Sequence, residues 1–238
     1  MILSATTKGV ATITLNRPAA RNALNGAMCD ELRAAAEAAG ADPEVRVVLL
    51  RANGPAFCAG ADLKERQGMN AAQVRARRVK AFQAYAALEA LPMPSIAVVA
   101  GPAVGSGVEI AAACDFILAT REASFATPEA LRGTVGATQR LPRVLGKRLA
   151  KDLMFTGRRL TAEEALQMGL VSRLVDAEHL EREIRSIVDT VVEADPAALR
   201  LAKRCIDAGV ERDPRGALDL EIAAIDEQLA GGQWMGKP

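Results

Sequence analysis

The segment from Ser95 to Glu129 places a glycine-rich turn between two apolar runs of strand length. The first run ends at Gly101-Pro102, and small residues that favour a helix follow Gly105-Ser106-Gly107. A second apolar run leads on to Pro128-Glu129. This order predicts a strand, a tight turn, a helix and a second strand that are buried together, so the rest of the chain must cover them.

A membrane span is the competing interpretation of residues 96–119, which are nearly long enough to cross a bilayer. The window contains two acids, Glu109 and Asp115, together with four glycines and prolines, and no basic flank anchors it. We therefore predict a buried unit of a globular protein and no membrane partner.

Glu109 and Glu129 are candidate catalytic residues, because an ionised carboxylate among apolar residues is costly unless it is paired or used. The structural alternative is that Glu109 faces solvent from an amphipathic helix. Glu129 would then stabilise the first turn of a helix as an N-terminal acid. These residues alone favour neither interpretation.

The charge balance gives no electrostatic reason to expect a nucleic-acid partner. The 238 residues carry a formal net charge of +1, whereas nucleic-acid binding relies on an excess of lysine and arginine. One tryptophan, one tyrosine and five phenylalanines leave few rings for stacking on bases. A hydrophobic fraction of 50% is typical of a globular protein with a buried core.

The cysteines and the histidine exclude several kinds of site. Cys29, Cys58, Cys114 and Cys205 are far apart and form no C-x-x-C pair. We therefore predict free thiols in a reducing compartment and no metal site. The only histidine, His179, lies far from the glycine-rich segment, so carboxylates are the first candidates for proton transfer. No signal peptide is predicted, and the cytoplasm is the expected location.

Strands alternate with helices and are followed by a helical tail, which indicates an α/β fold. Besides the central segment, strands are predicted at residues 2–6, 10–15, 45–50, 123–125 and 171–175. Helices are predicted at residues 26–40, 64–90, 147–155, 161–168, 178–193, 196–208 and 214–230. Asn25 is the predicted cap of the first helix, and Thr161 with Glu164 forms a predicted capping box.

Two further segments have both a functional and a structural interpretation. Residues 53–63 form a small-residue bend that would let backbone N–H groups approach a ligand, but an ordinary loop explains the composition equally well. The helix predicted over 64–90 has a basic first half containing Arg75, Arg77, Arg78 and Lys80. That run could meet a phosphate group, although a solvated helix face is the commoner explanation.

Several short motifs occur in a fixed order along residues 10–175. They are Asn16-Arg17-Pro18, Asn22-Ala23-Leu24, Phe57 to Leu63, Gly101 to Asp115, Phe125, Pro128-Glu129, Thr138 to Pro142, Thr156-Gly157 and Gly169-Leu170-Val171. Each motif is weak alone. In this order and at this spacing, however, they resemble the enoyl-CoA hydratase/isomerase (crotonase) family.

The resemblance implies a crotonase-like spiral of repeated ββα units over residues 1–175. It implies a C-terminal helical region, residues 176–238, which packs on neighbouring subunits in a homotrimer or in a hexamer built as a dimer of trimers. The implied substrate is an acyl-CoA thioester, and no metal or redox cofactor is implied.

The resemblance also implies roles for individual residues. The backbone N–H groups of Ala61 and Ser106 would form an oxyanion hole for the thioester oxygen of an enolate-like state. Glu109 and Glu129 would be the catalytic carboxylates. The CoA arm would run along Ala23, Leu24, Ala59, Gly60, Asp62 and Leu63.

Because both carboxylate positions are filled, the resemblance favours a hydratase that adds water to a trans-2-enoyl-CoA and gives a 3-hydroxyacyl-CoA. Isomerases of the family commonly keep only the acid that matches Glu129, so an isomerase, a hydrolase or a decarboxylase is the alternative. A non-catalytic trimer that binds RNA or protein is a hypothesis of another class, and only the basic stretch from Arg75 to Lys80 supports it.

Three features depart from the family pattern. Ser106 replaces the usual glycine, and the chain between Glu129 and Thr138 is shorter by a few residues. Residues 231–238 lack the familiar closing helix. We expect these differences to affect the acyl pocket, the placement of Glu129 and the contacts between subunits.

Overall fold

The computed structural model describes residues 1–232. The prediction that residues 231–238 lack the closing helix of the family therefore falls mostly outside the described residues. Within 1–232 the strands are β1 (Ile2–Thr7), β2 (Val10–Leu15), β3 (Val47–Ala52), β4 (Ser95–Val99), β5 (Pro102–Val104), β6 (Phe116–Thr120), β7 (Ser124–Ala126), β8 (Leu160–Thr161) and β9 (Arg173–Val175). The helices are α1 (Gly26–Ala41), α2 (Ala71–Glu89), α3 (Ser106–Ala112), α4 (Arg140–Thr156), α5 (Ala162–Gln167), α6 (Leu180–Glu193), α7 (Pro196–Gly209) and α8 (Pro214–Ala230).

The strands form two sheets. The larger has the order β1-β2-β3-β4-β6-β9 and the smaller has the order β5-β7-β8. The β1–β2 pair is the predicted hairpin, with Ile2 opposite Leu15 and Thr7 opposite Val10. Every other pair in the larger sheet is parallel, which requires crossover connections over its faces.

The chain winds through both sheets in successive turns. One turn runs β4, β5 and α3, and the next runs β6, β7 and α4. Earlier turns follow the same path with single parallel bridges in place of full strands, namely Leu24 to Ala61 and Cys58 to Ala103. The expected spiral of ββα units is therefore present. In the small sheet, β7 matches the strand predicted at residues 123–125, whereas β5 and β8 were not predicted, because they are only three and two residues long.

The inner strands of the larger sheet, β3 and β4 among them, are buried on both faces. Along β3, Val48 and Leu50 pack into the main core, whereas Val47 and Leu49 pack against α6 on the opposite face. This confirms the interpretation of the continuous apolar run as a doubly covered strand.

Asn22 connects the loop after β2 to the loop after β3. Its side chain accepts a hydrogen bond from the Arg17 amide at 2.8 Å and donates to the carbonyls of Asn53 and Ala56 at 2.9 Å each. Because Asn22 is fully buried, these bonds replace all contact of its side chain with water. They hold the bend at 53–63 in place beside the small sheet.

The helix caps are as predicted. Asn25 accepts from the Met28 amide, and Thr161 forms a complete capping box with Glu164. The predicted helix at 64–90 was wrong at its start. It begins at Ala71 after an Asn70 cap, since residues 64–70 form a turn that includes Gly68 at φ +81°.

Other boundaries also moved. The helix predicted at 147–155 begins at Arg140, with a break at Gly146 where φ is +75°. The strand predicted at 45–50 is β3, shifted to Val47–Ala52. All four cysteines are free thiols, as predicted. No helix in the described part of the chain has both the length and the apolar character needed to span a membrane.

Candidate active site

The site lies where three parallel segments of neighbouring turns end. Cys58 is in register with Ala103, and Ala103 is in register with Phe125. Three residues after each of these positions come Ala61, Ser106 and Pro128. Because the carboxyl ends of parallel segments meet at one edge, the stacking brings together backbone from three distant parts of the sequence.

A cavity of about 650 Å³ opens at this edge. Seven of the residues predicted for the site line it, namely Ala59, Gly60, Ala61, Leu63, Ser106, Glu109 and Glu129. Three predicted CoA-binding residues, Ala23, Leu24 and Asp62, are not part of its lining.

Leu24 and Asp62 support the loop behind the cavity wall. Leu24 is fully buried, and its backbone bridges to both neighbours of Ala61 by hydrogen bonds of 2.8 Å. Asp62 forms a 2.6 Å ion pair with Arg17. Burial opposes ionisation of Asp62, but the bond from Arg17 and the backbone N–H groups that it accepts outweigh burial and hold the pKa of Asp62 below its usual value.

Two backbone N–H groups at the cavity are free of acceptors. Within residues 1–232, neither the Ala61 amide nor the Ser106 amide donates a hydrogen bond. Ser106 is the first residue of α3, where an amide has no partner inside the helix. The two segments are adjacent, since a Cβ atom placed on Gly60 would lie 3.9 Å from the Ser106 nitrogen. An oxyanion of a bound ligand could accept from such groups.

Glu109 lies on the first turn of α3 and is only 6% exposed. Burial raises the pKa of its carboxyl to about 7, and the negative charge of Glu129 adds to this effect. The Ala137 amide and the Arg140 guanidinium, which is 4.0 Å from Glu109 Oε1, act in the opposite direction on this pKa. The interpretation of Glu109 as a solvent-facing acid is therefore wrong.

Glu129 follows β7 and precedes a short 3₁₀ helix, Ala130–Arg132. Burial raises the pKa of its carboxyl, although Arg132 and Arg78 act against this. Its buried Oε2 atom has no hydrogen-bond partner within the described residues. An ionised oxygen without a partner is costly, so Oε2 of Glu129 is available to accept a hydrogen bond or a proton from a group that enters the cavity.

Two glycines let the Glu129 side chain reach its position. A Cβ atom on Gly105 would lie 2.4 Å from Glu129 Oε1, and one on Gly136 would lie 3.0 Å from its Cγ. The short loop after Glu129 folds back on it, since the Thr134 amide donates to the Glu129 carbonyl at 2.9 Å. This loop lines the cavity through Thr134 and Gly136.

Sequence reasoning missed two residues of the site, Tyr85 and Arg140. The Arg140 guanidinium lies 5.6 Å from the centre of the Tyr85 ring, a cation–π distance. Burial raises the pKa of Tyr85, and the negative charge of Glu109 adds to this effect. Tyr85 and Ser106 both line the cavity. Tyr85 is the only tyrosine of the chain, and this is the sequence feature that could have identified it as a candidate site residue.

The basic run on α2 does not form one basic face. Arg77 is buried, pairs with Glu65 at 2.8 Å and donates to the Leu24 carbonyl. Lys80 pairs with Asp30. Neither a solvated face nor a phosphate contact describes Arg77, which is a structural residue.

The raised pKa of Glu109 predicts a stability effect of Glu109→Gln. An unfolded chain releases this proton above pH 4.5, whereas the folded protein keeps it up to about pH 7. The unfolded state therefore binds fewer protons in this window, and the free energy of unfolding of the wild type falls as pH rises. Glutamine cannot ionise, so the Glu109→Gln protein does not lose stability in this way. Its free energy of unfolding relative to that of the wild type should therefore increase by about 3 kcal/mol between pH 4 and pH 8.

Thermal unfolding of both proteins, followed by circular dichroism at several pH values, measures this difference. A difference in Tm that stays constant from pH 4 to pH 8 would contradict the raised pKa. Glu178→Gln is a suitable control, because that carboxyl is exposed and its neutralisation should have little effect at any pH.

Known proteins are similar to this chain in sequence and in fold. The family model described as enoyl-CoA hydratase/isomerase matches residues 5–230. A mitochondrial protein of Bos taurus named enoyl-CoA hydratase domain-containing protein 2 is 38% identical over 227 residues, which cover 92% of this chain and 77% of that protein. The enoyl-CoA isomerase/hydratase fer4 of Mycosarcoma maydis is 36% identical over 238 residues, with coverage of 95% and 87%.

A solved structure is also similar. The crystal structure of enoyl-CoA hydratase from Bacillus anthracis superposes with a TM-score of 0.91 at 39% identity, and covers 94% of this chain and 89% of that one.

Proposed function

Because this chain belongs to the enoyl-CoA hydratase/isomerase family, we propose that it hydrates a trans-2-enoyl-CoA and forms a 3-hydroxyacyl-CoA. The observation that carries the proposal is that two buried carboxylates, Glu109 and Glu129, line one cavity with two free backbone N–H groups, those of Ala61 and Ser106. Water addition needs an acid, a base and an oxyanion site, and this cavity has a group for each.

The proposed chemistry adds one water across the double bond. An ionised carboxylate accepts a proton from water as the water oxygen bonds to Cβ of the acyl chain. The π electrons then move toward the thioester oxygen, which the N–H groups of Ala61 and Ser106 stabilise. A protonated carboxyl gives its proton to Cα, and the thioester is restored. The two carboxyls have then exchanged protonation states.

The electrostatics of Glu109 and Glu129 support a mechanism in which one carboxyl is protonated and the other is ionised. Two carboxyls that share a buried site do not ionise together easily, so one tends to keep its proton while the other is charged. The pKa of Glu109 near 7 leaves both of its protonation states populated at neutral pH. Each proposed step uses carboxylates and amides, so the proposal requires no metal or redox cofactor.

A double-bond isomerase is the second candidate, since the fer4 protein carries both activities in its name. Moving one proton between carbons needs a single base, and Glu129, with its unpartnered Oε2, would be that base. A hydrolase or a decarboxylase is a further alternative within the family. Binding of RNA has less support, because Arg77 and Lys80 of the basic run are already paired with acids.

The first test mixes the purified protein with crotonyl-CoA and follows the absorbance of the conjugated enoyl-thioester. We expect the absorbance to fall and mass spectrometry to show the gain of one water. Unchanged crotonyl-CoA, together with tight binding of butyryl-CoA, would contradict the hydratase proposal. Assays with trans-3-enoyl-CoA and of thioester hydrolysis would then separate the remaining candidates.

We further propose a homotrimer, or a hexamer of two trimers, assembled through the C-terminal helices in the cytoplasm. The supporting observation is that Ile206 on α7, Val210 at the C-terminal cap of α7 and Leu218 on α8 are each more than half accessible. Apolar side chains exposed together on a helix pair are typical of a contact surface. Light scattering of the purified protein measures the assembly.

A further inference from the structure

Three arginines that line the active-site cavity have no carboxylate partner. Arg66, Arg78 and Arg132 face it, and within residues 1–232 none has an acidic oxygen within 4.0 Å. The other two arginines near the cavity differ, since Arg77 pairs with Glu65 and Arg140 pairs with Glu89. Within the described part of the chain, the cavity therefore presents three guanidinium groups without an acidic partner to any ligand that enters it.

Arg78 is the most firmly placed of the three. It extends from α2 across the cavity and donates a hydrogen bond to the Thr134 hydroxyl in the loop after Glu129. It is half-buried, and its charge lowers the carboxyl pKa of both Glu109 and Glu129. Arg78 therefore lies close to Glu109 and Glu129, the two carboxyls of the proposed reaction centre, and not only at the mouth of the cavity.

The surroundings of Arg78 decide which acyl chains suit the cavity. Val74, Phe82 and Val135 lie on the same cavity lining. A purely apolar acyl chain that packed on them would strip water from the guanidinium without replacing its hydrogen bonds, and this costs free energy. A carboxylate at that position would restore the lost bonds, because guanidinium and carboxylate groups form paired N–H···O contacts.

We propose that Arg78, assisted by Arg132, binds a carboxylate carried by the acyl chain, so that the substrate class is the CoA thioester of an unsaturated diacid. The inference rests on the proposed hydratase function and deepens it. A phosphate of the CoA moiety is the other anion that such a group can bind, and the experiment distinguishes the two sources.

The test compares two substrates of equal length. trans-Glutaconyl-CoA ends in a carboxylate, and trans-2-pentenoyl-CoA ends in a methyl group at the same position. For the wild type we expect kcat/KM to be at least tenfold higher with glutaconyl-CoA. Arg78→Met should lower that ratio by about 10- to 100-fold, as expected for the loss of a hydrogen bond between charged groups.

Arg75→Met is the matched control. Arg75 is on the same helix, is exposed and does not line the cavity, so the same change of charge there should leave the ratio unaltered. Arg78→Lys keeps the charge without the paired donors and should restore only part of the preference.

Three outcomes would overturn the inference. The first is a wild type that hydrates both substrates equally, and the second is an Arg78→Met protein that loses both activities in the same proportion. The third is a loss on both CoA substrates that disappears with crotonyl-pantetheine, since that result assigns Arg78 to a CoA phosphate. If the wild type hydrates none of these thioesters, the proposed function itself fails, and the two failures are thereby separated.

Discussion

Glu129→Gln is expected to lower kcat for hydration of crotonyl-CoA by about 10²- to 10⁴-fold, the usual contribution of one acid or base. Glutamine has the same shape as glutamate but neither accepts nor releases the catalytic proton. The carboxyl is already held in place by the close approach of Gly105 and Gly136, so the substitution removes chemistry and changes little volume. Stopped assays with mass detection measure the residual rate.

Binding provides the control for this variant. The dissociation constant for butyryl-CoA should change little, because the thioester oxygen is assigned to the amides of Ala61 and Ser106. A Glu129→Gln protein with nearly the wild-type kcat would exclude this residue from proton transfer. A protein that has lost both kcat and butyryl-CoA binding would indicate that the site itself has collapsed.

Glu109→Gln, measured in the same way, separates hydratase from isomerase. A hydratase needs both carboxyls and should lose a comparable factor on crotonyl-CoA. An isomerase that relies on Glu129 alone should still convert trans-3-enoyl-CoA after Glu109 is replaced. Retained isomerisation without hydration in both the wild type and this variant would establish the second candidate.

Gly105→Ala is expected to have the second large effect, a loss of at least 100-fold in kcat/KM. The new Cβ would lie 2.4 Å from Glu129 Oε1, well inside van der Waals contact, so the carboxyl must move. A misplacement of about 1 Å at a reacting group can cost about 10²-fold in rate. The residue also has φ +54° and ψ −114°, a conformation that alanine adopts only with strain.

Gly169→Ala tests whether strain alone explains the result. Gly169 has φ +80°, and a Cβ placed there would meet nothing within 4 Å. Because a residue with a Cβ is strained at this positive φ, the control should lose about 1 kcal/mol of stability and keep its activity. Equal loss of activity in the two variants would show that the contact with Glu129 does not matter. Wild-type activity in Gly105→Ala would show that the carboxyl moves without consequence.

Local sequence signals were sufficient for most elements. The Asn25 cap and the Thr161–Glu164 capping box are contacts between residues three positions apart, so they can be read directly from the chain. The start of α2 was wrong by several residues, because its basic composition continues through the turn at 64–70 and only the Asn70 cap ends that turn. Of the three strands of the small sheet, only β7 was predicted, at residues 123–125. β5 and β8 were missed, since two or three residues carry too little periodicity to predict a strand.

The fates of two adjacent arginines illustrate what local signals leave open. Arg77 and Arg78 are identical in chemistry and lie in one basic run. On the folded helix Arg77 faces the core and pairs with Glu65, whereas Arg78 faces the cavity and contacts Thr134. Successive residues of a helix point about 100° apart, and only the packing of α2 decides which of the two side chains meets an acid and which faces the cavity.

By itself, the sequence determined the order of the longer strands and helices, the caps and the residue types available for chemistry. The tertiary structure decided that Ala61, Ser106 and Glu129 meet at one edge, because parallel pairing aligns the ends of segments that are distant in the chain. It also decided that Glu109 is buried and that its carboxyl pKa lies near 7. Desolvation depends on everything packed around a group, and no local pattern contains that information.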